Sequence, residues 1–201
     1  MHFREAWAEM AQVIFRQVLR TDLDRPGFAH FRLGRTGEAA QFYELLRRLG
    51  TELAVRYARD FARELTLFEQ GSFDQQVSTH PHRDGAPDES LLLLGYEPTT
   101  VSSRVFALDY TRAALDRGLS PREFLDVFNP LTLAGQTILE PYRLEVDFRP
   151  EEFQILAFNN GAVSWDRRHT GMLGVLHQAD ILRPDPAAAR RIHSLILAHP
   201  D

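Results

Sequence analysis

The chain has 201 residues, of which 44% are hydrophobic and 10% aromatic, and this predicts one folded domain with a sizeable core. A net charge of -5 and a pI near 5.9 argue against nucleic acid or an anionic membrane as a partner. The chain has no cysteine, which excludes disulfides, thiolate metal ligands and a cysteine nucleophile. Any bound metal therefore has to use His, Asp or Glu.

Two helical patterns and one short strand occupy the first third of the chain. Apolar residues recur every three or four positions from Phe3 to Leu19 and again from Phe42 to Leu65, a spacing that predicts one buried face on each of two helices. Between them, Phe28 to Leu33 is short, aromatic and bounded by glycine, which predicts a strand. We expect residues 1–70 to be a mainly helical support for a sheet.

After Gly71, β-rich segments alternate with clusters of turn residues. The predicted strands are Phe73 to Thr79, Val101 to Asp109, Tyr142 to Phe148, Phe153 to Asn159, Leu173 to Leu182 and Arg191 to Ala198. The stretch Ser120-Pro121-Arg122-Glu123 interrupts them with a capping box and a proline at the first helical position, which predicts a helix. The segment from Gly85 to Pro98 is long enough to fold over a site as a lid.

This order of elements predicts a single α+β domain, mainly β, over residues 1–201, with the β core in residues 71–201. Strand-helix-strand units are few, which disfavours a doubly wound parallel sheet. A double-stranded β-helix, or jelly roll, buttressed by the N-terminal helices is the best match. No segment has the pattern of a signal peptide or the length of a bilayer span, so we expect a cytoplasmic protein without a membrane partner.

The stretch Ser78-Thr79-His80-Pro81-His82-Arg83-Asp84-Gly85 places an imidazole and a carboxylate two residues apart. In an extended segment side chains at i and i+2 point to the same side, so His82 and Asp84 can hold one metal ion together. His177, within an apolar strand, would supply a second imidazole. Two imidazoles and one carboxylate on one face of an ion suit non-heme Fe(II) and leave positions open for a co-substrate and O2.

Each of these residues also has a plainer interpretation. A chain with eight histidines produces a His-x-Asp pair by chance, as His199-Pro200-Asp201 illustrates, and His177 alone is more typical of a satisfied core histidine. His80 shares parity with the pair and is either an extra ligand or an exposed neighbour, whereas His169, the rival second imidazole, has polar, loop-like neighbours. Arg104, in the middle of a predicted strand, either binds a substrate carboxylate or is exposed.

The C-terminal strand adds a candidate anion site. After His177 and a proline-bounded turn comes Arg190-Arg191-Ile192-His193-Ser194-Leu195-Ile196-Leu197. A guanidinium at the start of an apolar strand needs an anion, and a carboxylate gripped by two of its nitrogens is the best partner. The order His-x-Asp, His, Arg, in Ser78–Gly85 and Gly174–Ala198, resembles the Fe(II)/2-oxoglutarate-dependent oxygenase family. The final segment looks most like the taurine dioxygenase branch of that family.

The resemblance implies an iron triad of His82, Asp84 and His177, with 2-oxoglutarate as co-substrate and O2 as oxidant. An arginine would hold the distal carboxylate of the 2-oxoglutarate. The implied activity is hydroxylation, desaturation or ring closure of a small polar molecule whose identity the sequence does not disclose. Two alternatives stay open: a cupin-like metalloenzyme that does not use 2-oxoglutarate, which an inward-facing His80 would favour, and a non-catalytic module that binds a small carboxylate.

Only one of the two adjacent arginines can face inward on a regular strand, because their side chains have opposite parity. Arg190 lies on the side of Ser194, a candidate member of the same carboxylate pocket, whereas Arg191 lies on the side of His193. The leucines at positions 195 and 197 would pack well against the supporting helices outside the sheet. That packing favours Arg190 as the inward residue. The oligomeric state is left open by the sequence.

Overall fold

The computed structural model of the chain describes residues 7–199, which form five α-helices and eight β-strands. The helices are α1 (Trp7–Gln17), α2 (Ala39–Phe61), α3 (Tyr110–Leu115), α4 (Pro121–Val127) and α5 (Leu133–Leu139). The strands are β1 (Phe28–Gly34), β2 (Thr66–Asp74), β3 (Ser90–Tyr96), β4 (Ser102–Leu108), β5 (Arg143–Glu145), β6 (Phe153–Asn159), β7 (Leu176–Arg183) and β8 (Arg191–Ala198). Short 3₁₀ helices occupy Glu140–Tyr142 and Trp165–Thr170.

The strands form two sheets in which every pairing between named strands is antiparallel. The larger sheet has the order β1-β6-β3-β8-β2, and the smaller sheet has the order β5-β4-β7. Neither sheet closes on itself. An isolated bridge between His82 and His177 brings the chain before β3 alongside the free edge of β7, and the Thr79 amide donates to the Ala179 carbonyl there at 2.9 Å.

The larger sheet is covered on both faces, and its central strand β3 is buried along its whole length. One face packs against α1 and α2 through alternate residues, among them Leu91, Leu93, Leu195 and Leu197. The other face packs toward the smaller sheet and includes Leu92, Leu94, Ile192 and Ile196 together with Val105 and Ala107 of β4. Because side chains alternate along each strand, the two faces separate a helix-side core from a core between the sheets.

The two N-terminal helices buttress the sheet as predicted. Helix α2 buries the predicted apolar series, but it ends at Phe61 rather than Leu65, and Ala62 follows in the left-handed conformation with φ 52°. The predicted start of the first helix at Phe3 lies outside the described residues. The capping box at Ser120 is confirmed at the start of α4. Within residues 7–199 no helix has both the length and the hydropathy to cross a bilayer.

Three predicted segment boundaries are wrong. The predicted lid from Gly85 to Pro98 contains β3, the buried central strand of the larger sheet. The strand predicted from Phe73 to Thr79 is displaced along the chain: β2 runs from Thr66 to Asp74, so only Phe73 and Asp74 of the predicted strand belong to it. The strand predicted from Leu173 starts only at Leu176. Gly174, just before it, packs so closely on the Gly161 carbonyl that no side chain would fit there.

The alternating segment from Tyr142 to Phe148 forms a much shorter strand than its pattern indicates. Only Arg143–Glu145 pairs with β4, after a 3₁₀ helix that includes Tyr142. Leu144 is 55% exposed and Val146 is 6% exposed, so the alternate apolar residues do not share one buried face. Strand β5 lies at one edge of the smaller sheet, so only β4 holds it in register.

Candidate metal centre

The three predicted metal ligands converge in the structure. One ligand atom from each of His82, Asp84 and His177 lies within 4.8 Å of the others. The Nε2 atoms of His82 and His177 lie 3.5 Å and 3.6 Å from Oδ1 of Asp84. An ion bound to such atoms at about 2.1 Å needs them roughly 3.0–3.5 Å apart, so only small side-chain adjustments separate this arrangement from a coordination shell.

A backbone bridge places the two imidazoles together. The amide of His82 donates to the carbonyl of His177, and the amide of His177 donates to the carbonyl of His82, both at 3.0 Å. Residues that exchange both hydrogen bonds in this way lie directly opposite each other. The ring centroids are 4.2 Å apart as a result. The approach of two residues remote in sequence is therefore built into the β-structure.

Hydrogen bonds orient His82 and the loop that carries Asp84. The Nδ1 atom of His82 donates to the His80 carbonyl at 2.7 Å, which leaves Nε2, on the side of Asp84, as the atom available to a metal ion. The Asp84 amide donates to Oδ1 of Asn160 at 3.1 Å, and Nδ2 of Asn160 donates back to the Asp84 carbonyl at 3.2 Å. Asn160 follows β6, so this side chain fixes the Asp84 loop against the larger sheet.

The local electrostatics keep Asp84 and His177 in the forms that bind metal. Burial, with a contribution from His82, lowers the pKa of the His177 imidazole to about 4, so this side chain is neutral at neutral pH. Burial would raise the pKa of Asp84, but the neighbouring His82 and His177 outweigh that effect and lower it below its usual value. For His82, burial acts to lower the pKa, but the interactions with Asp84 and the His80 carbonyl raise it overall.

A cavity of about 140 Å³ adjoins the three ligands. This volume is far below the roughly 300–1,000 Å³ of sites that enclose drug-sized ligands, and it suits a molecule of metabolite size. Apart from the ligands, the cavity is lined by Phe73, Gln75, Thr79, Leu94, Tyr96, Val105, Gln178 and Ala179. The lining comes from both sheets and from the segment between β2 and β3, so the cavity lies between the two layers.

The guanidinium of Arg190 lies beside this cavity and is 1% exposed. Its centre sits 5.1 Å from the ring of Tyr96, which lines the cavity, and 5.8 Å from the ring of Phe148. Its Nε donates to Ser103 at 3.2 Å, and its Nη1 donates to the side-chain oxygen of Gln75 at 3.1 Å and to the Gln75 carbonyl at 3.4 Å.

No carboxylate of the described residues pairs with this guanidinium, and its Nη2 atom is buried without any hydrogen-bond partner. Burial lowers the pKa of Arg190 accordingly. A buried cation without an anion is costly, and a buried donor without an acceptor adds to that cost. Arg190 therefore has the properties of a site for a bound anion.

The parity argument for the two arginines holds in the structure. The leucines at 195 and 197 face the helices, whereas Arg190 is buried between the sheets. Ser194 is 3% exposed and has the same parity as Arg190, but it does not line the cavity. Arg191 is exposed, its Nε lies 3.9 Å from a carboxylate oxygen of Glu97, and it does not line the cavity.

Three other candidates lie away from the cavity. Arg104 is exposed and ion-paired with Glu145, on the face of β4 opposite to the cavity, which is the exposed position that the sequence left open for it. His80 is exposed, and its Nδ1 lies 3.0 Å from Nε2 of Gln136. His169 is exposed in a 3₁₀ helix and is not part of the ligand cluster. The chance pair at the C-terminus ends in residues 200 and 201, which lie outside the described residues.

Sequence reasoning missed three residues that shape the site. Asn160 holds the loop of Asp84, and Gln75 and Tyr96 contact or flank the Arg190 guanidinium. The run Asn159-Asn160-Gly161 could have indicated Asn160, because two adjacent asparagine side chains at the end of a buried strand need hydrogen-bond partners. Tyr96 was hidden by the assignment of its segment to a lid.

Comparisons with protein families and with curated proteins give no match, so a functional assignment has to be based on the geometry of the site. No protein-family model matches the chain, and no curated protein matches its sequence. The likeness to the Fe(II)/2-oxoglutarate-dependent oxygenases therefore depends on the chain's own residues. The relevant ones are His82, Asp84, His177 and Arg190.

Proposed function

We propose that this protein is a non-heme Fe(II)- and 2-oxoglutarate-dependent oxygenase that acts on a small polar molecule. The observation that carries the proposal is the juxtaposition of a cluster of two imidazoles and a carboxylate with a buried guanidinium that lacks an anion, both at one cavity. The cluster alone fits many metal sites. The positively charged Arg190 beside the cluster favours, as the ligand, an acid that chelates the metal at one end and carries a second carboxylate at the other.

The architecture supports the same proposal. Two antiparallel sheets enclose an apolar layer, and the segment at residues 78–82 lies along the free edge of β7. We propose that they form a double-stranded β-helix with the metal ligands at one end. A fold of this kind hosts many chemistries, so the functional argument depends on the pocket.

The donor set fits iron. Two neutral imidazole nitrogens and one carboxylate oxygen on one face are the ligands of non-heme Fe(II) sites that keep positions open. No cysteine is present to favour zinc or copper(I). When bound, iron and 2-oxoglutarate supply the chemistry in which O2 oxidatively decarboxylates the acid and a C–H bond of the substrate is oxidised.

The chain's own residues bind, orient and exclude water. His82 and His177 each present an Nε2 atom, and Asp84 presents an anionic oxygen, from a backbone bridge and a loop that are held in place without the metal. Arg190 supplies the positive charge for the distal carboxylate. Leu94, Val105 and Ala179 supply apolar walls to the cavity beside its polar residues, and an acid that fills the cavity would displace water from around the ligands and so strengthen the electrostatic interactions there.

The position of His80 bears on the cupin-like alternative. A third inward imidazole would have favoured a metalloenzyme that does not use 2-oxoglutarate. His80 is exposed and lies against Gln136 of α5, and it is not among the clustered ligands. Neither alternative has a specific observation in its favour, and the test below separates them from the oxygenase.

The test measures metal uptake and 2-oxoglutarate turnover in the same preparation. Metal-free protein is loaded with Fe(II) under anaerobic conditions, and release of succinate and CO2 is followed after addition of 2-oxoglutarate and O2, with and without candidate substrates. We expect one iron per chain and slow turnover that His82→Ala abolishes. His80→Ala, two residues away and exposed, is the matched control and should keep both properties. Iron uptake without consumption of the acid would favour the cupin-like alternative, and acid binding without metal would favour the binding module.

A further inference from the structure

The contact between Gln75 and Arg190 is an unusual one for a buried guanidinium. Among the described residues, the hydroxyl of Ser103 and the amide oxygen of Gln75 accept hydrogen bonds from Arg190, and the hydroxyl of Tyr96 also interacts with it; all three groups are neutral. Gln75 also lines the cavity next to the metal ligands. Its side-chain oxygen therefore occupies a position on the guanidinium that an incoming anion has to share or take over.

The main chain around Gln75 is anchored, so only the side chain is free to move. The Gln75 amide donates to the Arg190 carbonyl at 3.2 Å. The side chain of the next residue, Gln76, donates to the Ala188 carbonyl at 2.6 Å and accepts from the Asp185 amide at 2.8 Å. These bonds hold this segment against the loop between β7 and β8. A side-chain rotation at Gln75 would expose Arg190 to the cavity without any backbone rearrangement.

We propose that the Gln75 side chain is a gate over the anion site. It occupies the place of the acid's distal carboxylate on Arg190, and it rotates away when the acid binds. This inference rests on the proposed function, because it takes the anion to be a dicarboxylic 2-oxo acid. A carboxylate can accept two parallel hydrogen bonds from a guanidinium and carries the opposite charge, whereas the Gln75 amide oxygen is neutral, so the exchange is favourable. Gln75 then sets the affinity for the co-substrate and disfavours weaker anions.

Three substitutions distinguish a gate from a residue that lines the cavity without affecting the binding of the acid. Gln75→Ala removes the competing acceptor, and the acid should bind about tenfold tighter, which corresponds to about 1.4 kcal/mol. Gln75→Glu places a permanent carboxylate on Arg190 and should weaken acid binding by about 100-fold or more. Gln70→Glu adds the same charge on β2, outside the lining of the cavity, and should leave acid binding unchanged.

The experiment uses the full chain loaded with Mn(II), which replaces iron without supporting turnover. Binding of 2-oxoglutarate is measured by calorimetry, and Mn(II) binding by electron paramagnetic resonance reports whether each variant is folded. If Gln75→Ala disturbs the fold, Gln75→Asn serves instead, since it shortens the side chain without removing the amide, and it should also bind the acid more tightly than wild type.

The outcomes distinguish the gate from the function on which it rests. Tighter binding by Gln75→Ala and loss of binding by Gln75→Glu, with Gln70→Glu like wild type, would support the gate. Wild-type affinity in both Gln75 variants, or weaker binding by Gln75→Ala, would overturn the gate and leave the proposed function standing. Protein that binds Mn(II) but no 2-oxoglutarate, in wild type and in Gln75→Ala alike, would overturn both.

Discussion

Two arginines within residues 7–199 are almost wholly buried, yet they differ in their partners. Arg20 is 0% exposed and uses all of its donors, with two bonds to the Asp109 carboxylate at 2.7 Å and 2.8 Å and three to backbone carbonyls. Arg190 is 1% exposed and has no carboxylate partner and one unpaired nitrogen. If Arg190 exists to bind a ligand, its removal should affect stability quite differently from the removal of Arg20.

The expected magnitudes follow from these contacts. Arg190→Met removes a buried unpaired donor, which is worth about 1–3 kcal/mol in favour of the folded state. It also removes the cost of burying a charge without an anion, which is several kcal/mol, but it loses hydrogen bonds from that charged group to Ser103 and Gln75 worth about 1.5–3 kcal/mol each, so gains and losses largely cancel and the net change should lie close to zero. Arg20→Met leaves Asp109 without its partner and should cost about 3–5 kcal/mol. The two variants should therefore differ by about 3 kcal/mol.

Urea unfolding of metal-free protein, followed by tryptophan fluorescence and circular dichroism, measures this difference as a shift of the midpoint at constant slope. We expect the Arg190→Met midpoint to stay close to that of wild type and the Arg20→Met midpoint to fall well below it. A loss of stability in Arg190→Met as large as that in Arg20→Met would refute the reasoning. Arg190 would then be a structural residue, and the anion site would lose its main support.

Three further predictions concern the metal and the acid. His177→Ala should abolish iron uptake, whereas His169→Ala, an exposed histidine outside the cluster, should retain it, as measured by metal analysis after gel filtration. With metal present, 2-oxoglutarate at a hundredfold excess over its Kd should stabilise wild type by about 2.7 kcal/mol in urea unfolding, and an equal stabilisation of Arg190→Met would contradict the assignment of the anion site. Asn160→Ala should free the loop of Asp84 and lower metal affinity by about 10–100-fold, and unchanged affinity in a Mn(II) titration would show that the loop is fixed by other contacts.

The metal cluster could be predicted from the sequence because each step of the argument depends on residues that are neighbours in the chain. Side chains two apart in an extended segment share a side, which joins His82 to Asp84, and an imidazole in an apolar strand needs a partner, which points to His177. The inward orientation of Arg190 followed from the leucines of β8, since strand parity is strict when one face is buried. The bridge that places His82 opposite His177 was not accessible, because pairing partners are set by tertiary structure.

The remaining errors arose where periodicity carries no information. The run Leu91–Leu94 is buried on both faces of the larger sheet, so it has no alternation to mark it as a strand. In β2 the register shifts between Glu69 and Gly71, where Gly71 adopts φ 95°, and such a bulge breaks the period of two. Arg104 is the one exposed residue of β4, on the side of the strand that also carries the buried Phe106, and composition alone did not reveal which side it takes.

Crystals grown with Mn(II) and 2-oxoglutarate under anaerobic conditions would test the central claim most directly, because anomalous scattering locates the metal without assumptions. We predict one metal peak bound by Nε2 of His82, Nε2 of His177 and a carboxylate oxygen of Asp84 at about 2.0–2.3 Å, with the acid reaching from that ion to Arg190. A metal bound elsewhere, or an acid that leaves the buried nitrogen of Arg190 unpaired, would contradict the assignment.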